Sequence, residues 1–218
     1  MNTKIFKSAV IALFISSCIL MGCNNSRTNN ETNSANQMNT LNLTSEWDKT
    51  FPKSDKVNHS KITFHNRYGI TLVADLYAPV NASGKLPAIA VSGPFGAVKE
   101  QSSGLYAQQL AERGFLTIAF DPSYTGESGG EPRYVASPAV DYLMNREDVD
   151  SAKIGILGIC GWGGIAIQAA INDPRIKATV ASTMYDMTRV NANGYFDSEN
   201  TAEQRNSKRA AMAAYRRL

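Results

Sequence analysis

One run of residues has the types and spacing to do chemistry. Residues 153–164 read KIGILGICGWGG, an apolar segment that ends at Cys160 among glycines. The pattern predicts a strand that turns sharply into a helix, with the thiol carried on the turn. Small neighbours suit such a turn because the backbone crowds there. A helix starting near Trp162 would offer backbone N–H groups and the positive end of its dipole, both of which favour thiolate. The N–H of Gly161, next after the thiol, is placed to bind an oxyanion. A second donor is expected from the loop Ser92-Gly93-Pro94-Phe95-Gly96-Ala97, with Phe95 or Gly96 as candidates, since Pro94 has no N–H. The chemistry so described is acyl transfer to Cys160 followed by hydrolysis. The alternative is a small apolar cysteine that merely closes a strand, and both readings stand at this level.

Other polar residues give weaker signals. Asp186 follows an apolar segment and is the candidate acid, with helix capping as its alternative role. Asp121 ends another apolar run and is expected to bond the loop beyond it, while Glu127 and Ser128 sit in that Gly-rich loop and are expected to set its turn. The two histidines, His59 and His65, lie in a segment of alternating residues and are expected to be packing or surface residues. Neither pairs with thiols or carboxylates at metal-ligand intervals, so no metal is expected. No phosphate-loop pattern occurs and GESGG lacks the lysine such a loop needs, so no cofactor is expected either.

The elements that must position these residues follow from periodicity. KITFHN and TLVADLYAP alternate around Arg67-Tyr68-Gly69 and predict a hairpin of half-buried strands. LPAIAVSG, FLTIAFD, KIGILGIC and IKATVAST are short apolar runs of the kind buried on both faces of a sheet. Between them KEQSSGLYAQQLAERGF places Leu105, Leu110 and Ala111 at helical spacing. SPAVDYLMNRED and WGGIAIQAAIND also read as helices, the second ended by Asp173-Pro174, and a further helix is expected from Thr201. The alternation predicts an α/β fold, a mostly parallel sheet covered by helices on both faces. Ligands of such sheets bind beyond the carboxyl ends of the strands, which selects the loops 92–98, 121–133, 160–164 and 182–194.

GPFGAVKEQSSGLYAQQLAERGF, FDPSYTGESGGEPR, KIGILGICGWGG and ASTMYDMTR together resemble the α/β-hydrolase superfamily, in its dienelactone-hydrolase-like bacterial branch. The resemblance implies an elbow with Cys160 as nucleophile between Gly158 and Gly161. It also implies an acid after a later strand and a histidine after the last one. Three departures stand out. Trp162 occupies the slot where the elbow pattern has glycine, and an indole there is expected to crowd the helix start. The stretch between Arg133 and Ala139 is short. No histidine follows Cys160, so the chain is expected to be a C-terminally truncated member, about two strands short of the pattern.

The bulk composition limits the rest. At 218 residues and 43% hydrophobic, the chain suits one globular domain. Its 22 basic and 19 acidic residues, net +3, are too balanced for a nucleic-acid partner. Arg205, Lys208, Arg209, Arg216 and Arg217 read as a solvated helix face. MNTKIFKSAVIALFISSCILMGC has the charged start, short apolar middle and small-residue end of a secretory signal. Leu20-Met21-Gly22-Cys23 resembles the bacterial lipoprotein signal, so residues 1–23 are expected to be removed up to a lipidated Cys23. Ile15-Ser16-Ser17-Cys18 fits the same pattern with a shorter apolar core. Removal of Cys18 and lipidation of Cys23 would leave Cys160 as a single free thiol, which excludes a disulfide framework. Residues 24–58 are expected to be a flexible polar tether and 59–218 a partial hydrolase domain. The expected location is the bacterial cell envelope, held to the membrane by the lipid alone, with secretion or the periplasm as alternatives. Two functions are compatible with these features: a hydrolase of a small ester, thioester or lactone impaired by truncation, or an inactive binding lipoprotein. Oligomeric state is not legible.

Overall fold

The computed structural model describes residues 41, 43–132 and 135–215. The signal segment, Cys23, most of the expected tether, Arg133, Arg216 and Arg217 lie outside them. The elements in chain order are β1 (Val57–His65), β2 (Thr71–Pro79), β3 (Leu86–Ser92), α1 (Ser102–Ala111), β4 (Leu116–Phe120), α2 (Ser137–Met144), β5 (Val149–Ile159), α3 (Gly161–Asn172), β6 (Ile176–Ser182), α4 (Met187–Asn193) and α5 (Ala202–Tyr215). A single 3-10 turn, Tyr195–Asp197, separates the last two helices.

The six strands form one mixed sheet in the order β1-β2-β4-β3-β5-β6. β1 pairs antiparallel with β2 in an unbroken register from Val57↔Pro79 to His65↔Thr71, and β2 pairs antiparallel with β4. From β4 to β6 every pairing is parallel. The expected α/β architecture is therefore present, with the hairpin as its antiparallel edge. Alternation along the strands divides the core in two. Leu116, Ile118, Phe120, Ile154 and Ile156 face the layer that holds α2 and α3. Val91, Ala119, Leu157 and Ile159 face the opposite layer with Ala107 and Ala111 of α1.

Three expectations need correction. IKATVAST is not buried among the described residues: there β6 pairs with β5 alone, and residues 177–181 are exposed. The buried face of α1 is Ser103, Gly104, Ala107, Gln108 and Ala111 rather than Leu105 and Leu110. Small side chains there let the helix lie close on the sheet. The tether does not extend to residue 58, because residues 44–58 dock on the domain. Phe51 is buried, Trp47 Nε1 donates to the Phe51 carbonyl at 2.9 Å, and Thr50 N donates to the Glu100 carbonyl at 3.0 Å. Gln108 of α1 binds this strap at two points, accepting from Ser54 N and donating to Pro52 O. Trp47, Phe51 and the aliphatic stem of Lys49 supply apolar surface that a composition-based reading of a polar stretch overlooks.

Candidate active site

Cys160 is the N-cap of α3 and lies directly beyond β5, as the pattern of apolar and glycine residues predicts. Its backbone sits at φ 57°, ψ −121°, a conformation that an L-residue adopts only at a cost of about 1–3 kcal/mol. Both neighbours hold it there. Cys160 N donates to the Ser182 carbonyl of β6 at 2.9 Å, which extends the parallel ladder to the last residue before the turn. Its own carbonyl accepts from Gly163 N at 3.0 Å, the first bond of the helical turn. The thiol-bearing residue is half-buried. The turn is tight enough that a Cβ at Gly158 would stand 2.1 Å from the Trp162 carbonyl oxygen.

Trp162 does not crowd the start of the helix. Its indole turns into the core, is 1% exposed and meets the Phe120 ring edge to face with centroids 5.3 Å apart. The close approach that the glycine pattern serves is made instead by the Trp162 backbone against Gly158. A large side chain is thus compatible with the turn so long as residue 158 has none.

The structure brings the β3–α1 loop to this turn. The Phe95 ring lies over Gly161, so close that a Cβ there would stand 2.5 Å from it. Gly96 next to it takes φ 82°, and Ala97 N donates to the Pro94 carbonyl at 3.0 Å, closing a turn around Phe95 and Gly96. The two segments expected to supply oxyanion donors are therefore adjacent.

Asp186 is placed differently. Its carboxylate caps α4, accepting from Arg189 N at 2.9 Å and from the Thr188 hydroxyl at 2.6 Å, and these bonds hold it below the ordinary carboxylate range. It stands at the rim of a cavity that also touches Phe95 and Gly161. The histidines are remote in the sheet order: both belong to β1, and β2, β4 and β3 lie between that strand and β5. His59 is a packing residue, with Nε2 2.8 Å from Asp75 Oδ1 and its ring against Trp47 and Tyr77. Among the described residues, no group of His, Cys, Asp and Glu is arranged to hold a metal ion.

Sequence reasoning missed a buried ionic cluster behind the β3–α1 loop. Lys99, whose side chain has no exposure, places Nζ 2.9 Å from Asp121 Oδ2, 2.6 Å from Glu127 Oε2 and 2.5 Å from Glu100 Oε1. Asp121 also accepts from the backbone N–H of Lys99 at 2.7 Å and of Glu127 at 3.2 Å, so it does bond the loop beyond it. The Ser128 hydroxyl donates to the Asp121 carbonyl and accepts from Val73 N. Lys49 and Lys61 extend the cluster to Asp48, Asp75 and Glu127. Burial raises Asp121 to about 6 although Lys99 opposes the shift. Burial also acts to raise Glu127, but hydrogen bonds from Lys61 and Lys99 prevail and lower it to about 2. Lys99 is desolvated too, yet its three carboxylate partners hold it above the ordinary lysine range. A lysine and an aspartate 22 positions apart carry no local pattern, which is why this pair is invisible in the sequence.

A largely parallel sheet covered on both faces, with a strained residue where β5 meets α3, defines an α/β-hydrolase-type protein. The chain belongs to the X-Pro dipeptidyl-peptidase (S15 family), whose pattern it matches over residues 68–217. It is similar to the uncharacterized protein PA2218 of Pseudomonas aeruginosa, 60% identical over 199 residues, which cover 85% of this chain and 53% of that one. The crystal structure of PA2218 superposes with a TM-score of 0.73 over 81% of this chain and 58% of that one. YcjY of Escherichia coli is 41% identical over 150 residues, 63% of this chain and 49% of that protein. The polyketide transferase GrgF of Penicillium is 28% identical over 141 residues, 61% of this chain and 45% of that protein. Its crystal structure, described as an alpha/beta hydrolase, gives a TM-score of 0.50 at 27% identity over 56% of this chain and 44% of that one. The chain spans about half the length of the curated relatives it matches.

Proposed function

We propose that the chain acts on a small ester, thioester or lactone through Cys160. The observation that carries this reading is the positive φ of Cys160, held at a strand-to-helix turn beside the Phe95 loop. A cysteine needed only for packing has no use for a strained backbone. In the proposed reaction the Cys160 Sγ bonds to the substrate acyl carbon and the bond to the leaving oxygen or sulfur breaks. The thiol proton leaves with that group. The N–H of Gly161 and one from Phe95 or Gly96 would hold the oxyanion of the tetrahedral intermediate. Water then forms a bond to the acyl carbon, the C–S bond breaks, the thiol is restored and a carboxylic acid departs. A thiol can take the first step unaided, since a few per cent is thiolate near neutral pH. His59 and His65, both on β1, are not placed to assist the second step, so the reading for these residues is that acyl-enzyme accumulates. GrgF, by name a transferase of polyketides, supports acyl chemistry on this fold.

The alternative reading is a binding protein without turnover, in which Cys160 takes no acyl group. Export and lipidation at Cys23 belong to the proposal as well; among the described residues no helix is long and apolar enough to cross a membrane. The test incubates the full chain with p-nitrophenyl acetate, and with an X-Pro dipeptide p-nitroanilide for comparison. The expected result is a burst of p-nitrophenol equal to the protein concentration and an acetyl group on Cys160, both absent from Cys160→Ser. An adduct no faster than on denatured chain would leave the binding reading. In the bacterial envelope, Cys23→Ser is expected to move the chain out of the membrane fraction.

A further inference from the structure

We propose that Lys49 is a positioning residue for the candidate site: by pinning the strap of residues 44–58 to the sheet it fixes the helix end of the β3–α1 loop, and with it the oxyanion candidates Phe95 and Gly96. The inference rests on the reading of Cys160 as nucleophile and adds to that site a residue remote from it in sequence. The strap crosses the point where the loop becomes α1. Thr50 donates to the Glu100 carbonyl through its N–H at 3.0 Å and through its hydroxyl at 3.3 Å. The Phe51 ring lies on Gly104 in the first turn of α1, where an added Cβ would stand 3.0 Å from the ring and 2.3 Å from the Lys99 carbonyl oxygen. The strap therefore holds the loop by its backbone, one residue beyond the Lys99 that binds Asp121.

Those contacts fix the loop only if the strap is itself fixed, and Lys49 does this. Its side chain has no exposure, and its Nζ lies 2.9 Å from Asp75 Oδ2 in β2, 2.6 Å from Asp48 Oδ1 and 3.8 Å from Glu100 Oε1. The Asp75 side chain is equally without exposure and meets His59 on its other oxygen at 2.8 Å. Burial acts to lower Lys49, but hydrogen bonds to Asp48 and Asp75 prevail and hold it above the ordinary lysine range. A buried ammonium and a buried carboxylate joined in this way cannot part without leaving a desolvated charge unpaired. The next residue along the chain bonds Glu100, so the ion pair and the loop bond are consecutive links between β2 and the loop. Thr44 N, which donates to Glu127 Oε1 at 2.8 Å, ties the start of the strap to the loop after β4. Oxyanion donors work only when held within about 0.5 Å of their place. Residues 93–101 belong to no strand or helix, so contacts of this kind must supply that precision.

The experiment uses the full chain and two reagents that both consume the Cys160 thiol. Acylation by p-nitrophenyl acetate passes through a tetrahedral oxyanion, which the loop donors serve, whereas alkylation by iodoacetamide is a displacement at saturated carbon and forms none. Lys49→Met is expected to lower the second-order rate of acylation about 10- to 100-fold and to leave alkylation within about twofold. The double variant Lys49→Met/Asp75→Asn removes both charges, so it is expected to recover part of the lost melting temperature but not the acylation rate. A purely structural role would return the two together, and where the single variant unfolds the double one carries the same comparison. Amide hydrogen exchange gives a readout without acylation. Protection of the Lys99 and Gln101 N–H groups, which donate to Asp121 Oδ1 and the Val98 carbonyl, is expected to fall about tenfold or more while that of β3 is kept. If wild type takes no acetyl group but Lys49→Met frees these two amides, the strap holds the loop and only the reading of Cys160 as nucleophile fails. If acylation and alkylation fall together, or exchange rises alike in the loop and in β3, Lys49 serves the fold alone and the proposal is overturned. Acylation and loop exchange at wild-type levels in folded Lys49→Met would equally overturn it.

Discussion

Lys99→Met tests whether the ionic cluster holds the β3–α1 loop in place. The variant keeps most of the side-chain volume and removes the ammonium that touches Asp121, Glu127 and Glu100. Breaking a buried pair by deleting one partner costs about 3–5 kcal/mol, because the remaining charge stays desolvated. At about 2–4 °C per kcal/mol for a domain of this size, the melting temperature should fall by about 6–20 °C at pH 7.5. The pH dependence gives the sharper signature. The folded pKa of Asp121, about 6, lies above its ordinary 3.8, so the folded state holds this proton more tightly than the unfolded chain does. The ionised carboxylate is therefore a burden that is absent below 3.8 and complete above about 6, roughly 3 kcal/mol at 1.36 kcal/mol per unit. Without Lys99, whose contacts oppose the shift, Asp121 should titrate higher still. The stability gap between wild type and variant should then shrink on going from pH 7.5 to 5.5. In the wild type Glu127, lowered to about 2 by Lys61 and Lys99, is ionised throughout that interval. The assay is thermal unfolding followed by circular dichroism at both pH values. A drop under about 3 °C that is equal at the two would refute the reasoning and show the lysine to be screened by solvent.

Two further substitutions bear on the turn. Cys160→Gly should be more stable than Cys160→Ala by about 1 kcal/mol or more, since glycine removes the Cβ penalty at φ 57° and alanine retains it; equal melting temperatures would show that the turn is unstrained. Gly158→Ala should cost several kcal/mol and remove Cys160 labelling, because its Cβ would overlap the Trp162 carbonyl, 2.1 Å away. A melt within about 2 °C of wild type would mean that the strand and helix separate easily.

The sheet was legible because its strands and helices each carry a period, and each period marks one element. The runs around Leu116–Phe120 and Ile154–Ile159 are buried, and Cys160 falls on the turn that glycine spacing predicts. Burial set by position in the sheet was not legible. IKATVAST has the composition of a central strand, and among the described residues it pairs on one side only; nothing in its own residues records how many neighbours it has. The docked strap shows the same limit from the opposite side. Residues 44–58 are polar on average, yet Lys49, Thr50, Pro52 and Ser54 fix them through partners that lie far away in sequence, Asp75, Glu100 and Gln108. The ionic cluster is of this kind too, because Lys61, Lys99, Asp121 and Glu127 come from separate segments.

These two kinds of contact act on the same place. The elbow and the Phe95 loop arise from different strands, β5 and β3, which are neighbours in the sheet. Strand pairing fixes the distance between their ends but not the path of the loop beyond Ser92. Two anchors set that path: the Phe95 ring on Gly161 at one end and Lys99 on Asp121 at the other. The first is a half-exposed ring on a residue without a side chain, a contact that can shift by side-chain rotation. The second is buried and bidentate, through both the backbone N–H and the ammonium of one residue, and cannot shift without leaving charge unpaired. A loop rigid at its helix end and adjustable at its elbow end would suit the proposed placing of oxyanion donors near Cys160. If Lys99→Met lowered stability yet left the rate of Cys160 acylation unchanged, the cluster would serve the fold alone and the ring contact would suffice to position the donors. A fall in that rate with folding intact at the assay temperature would place the control of the site in the buried pair.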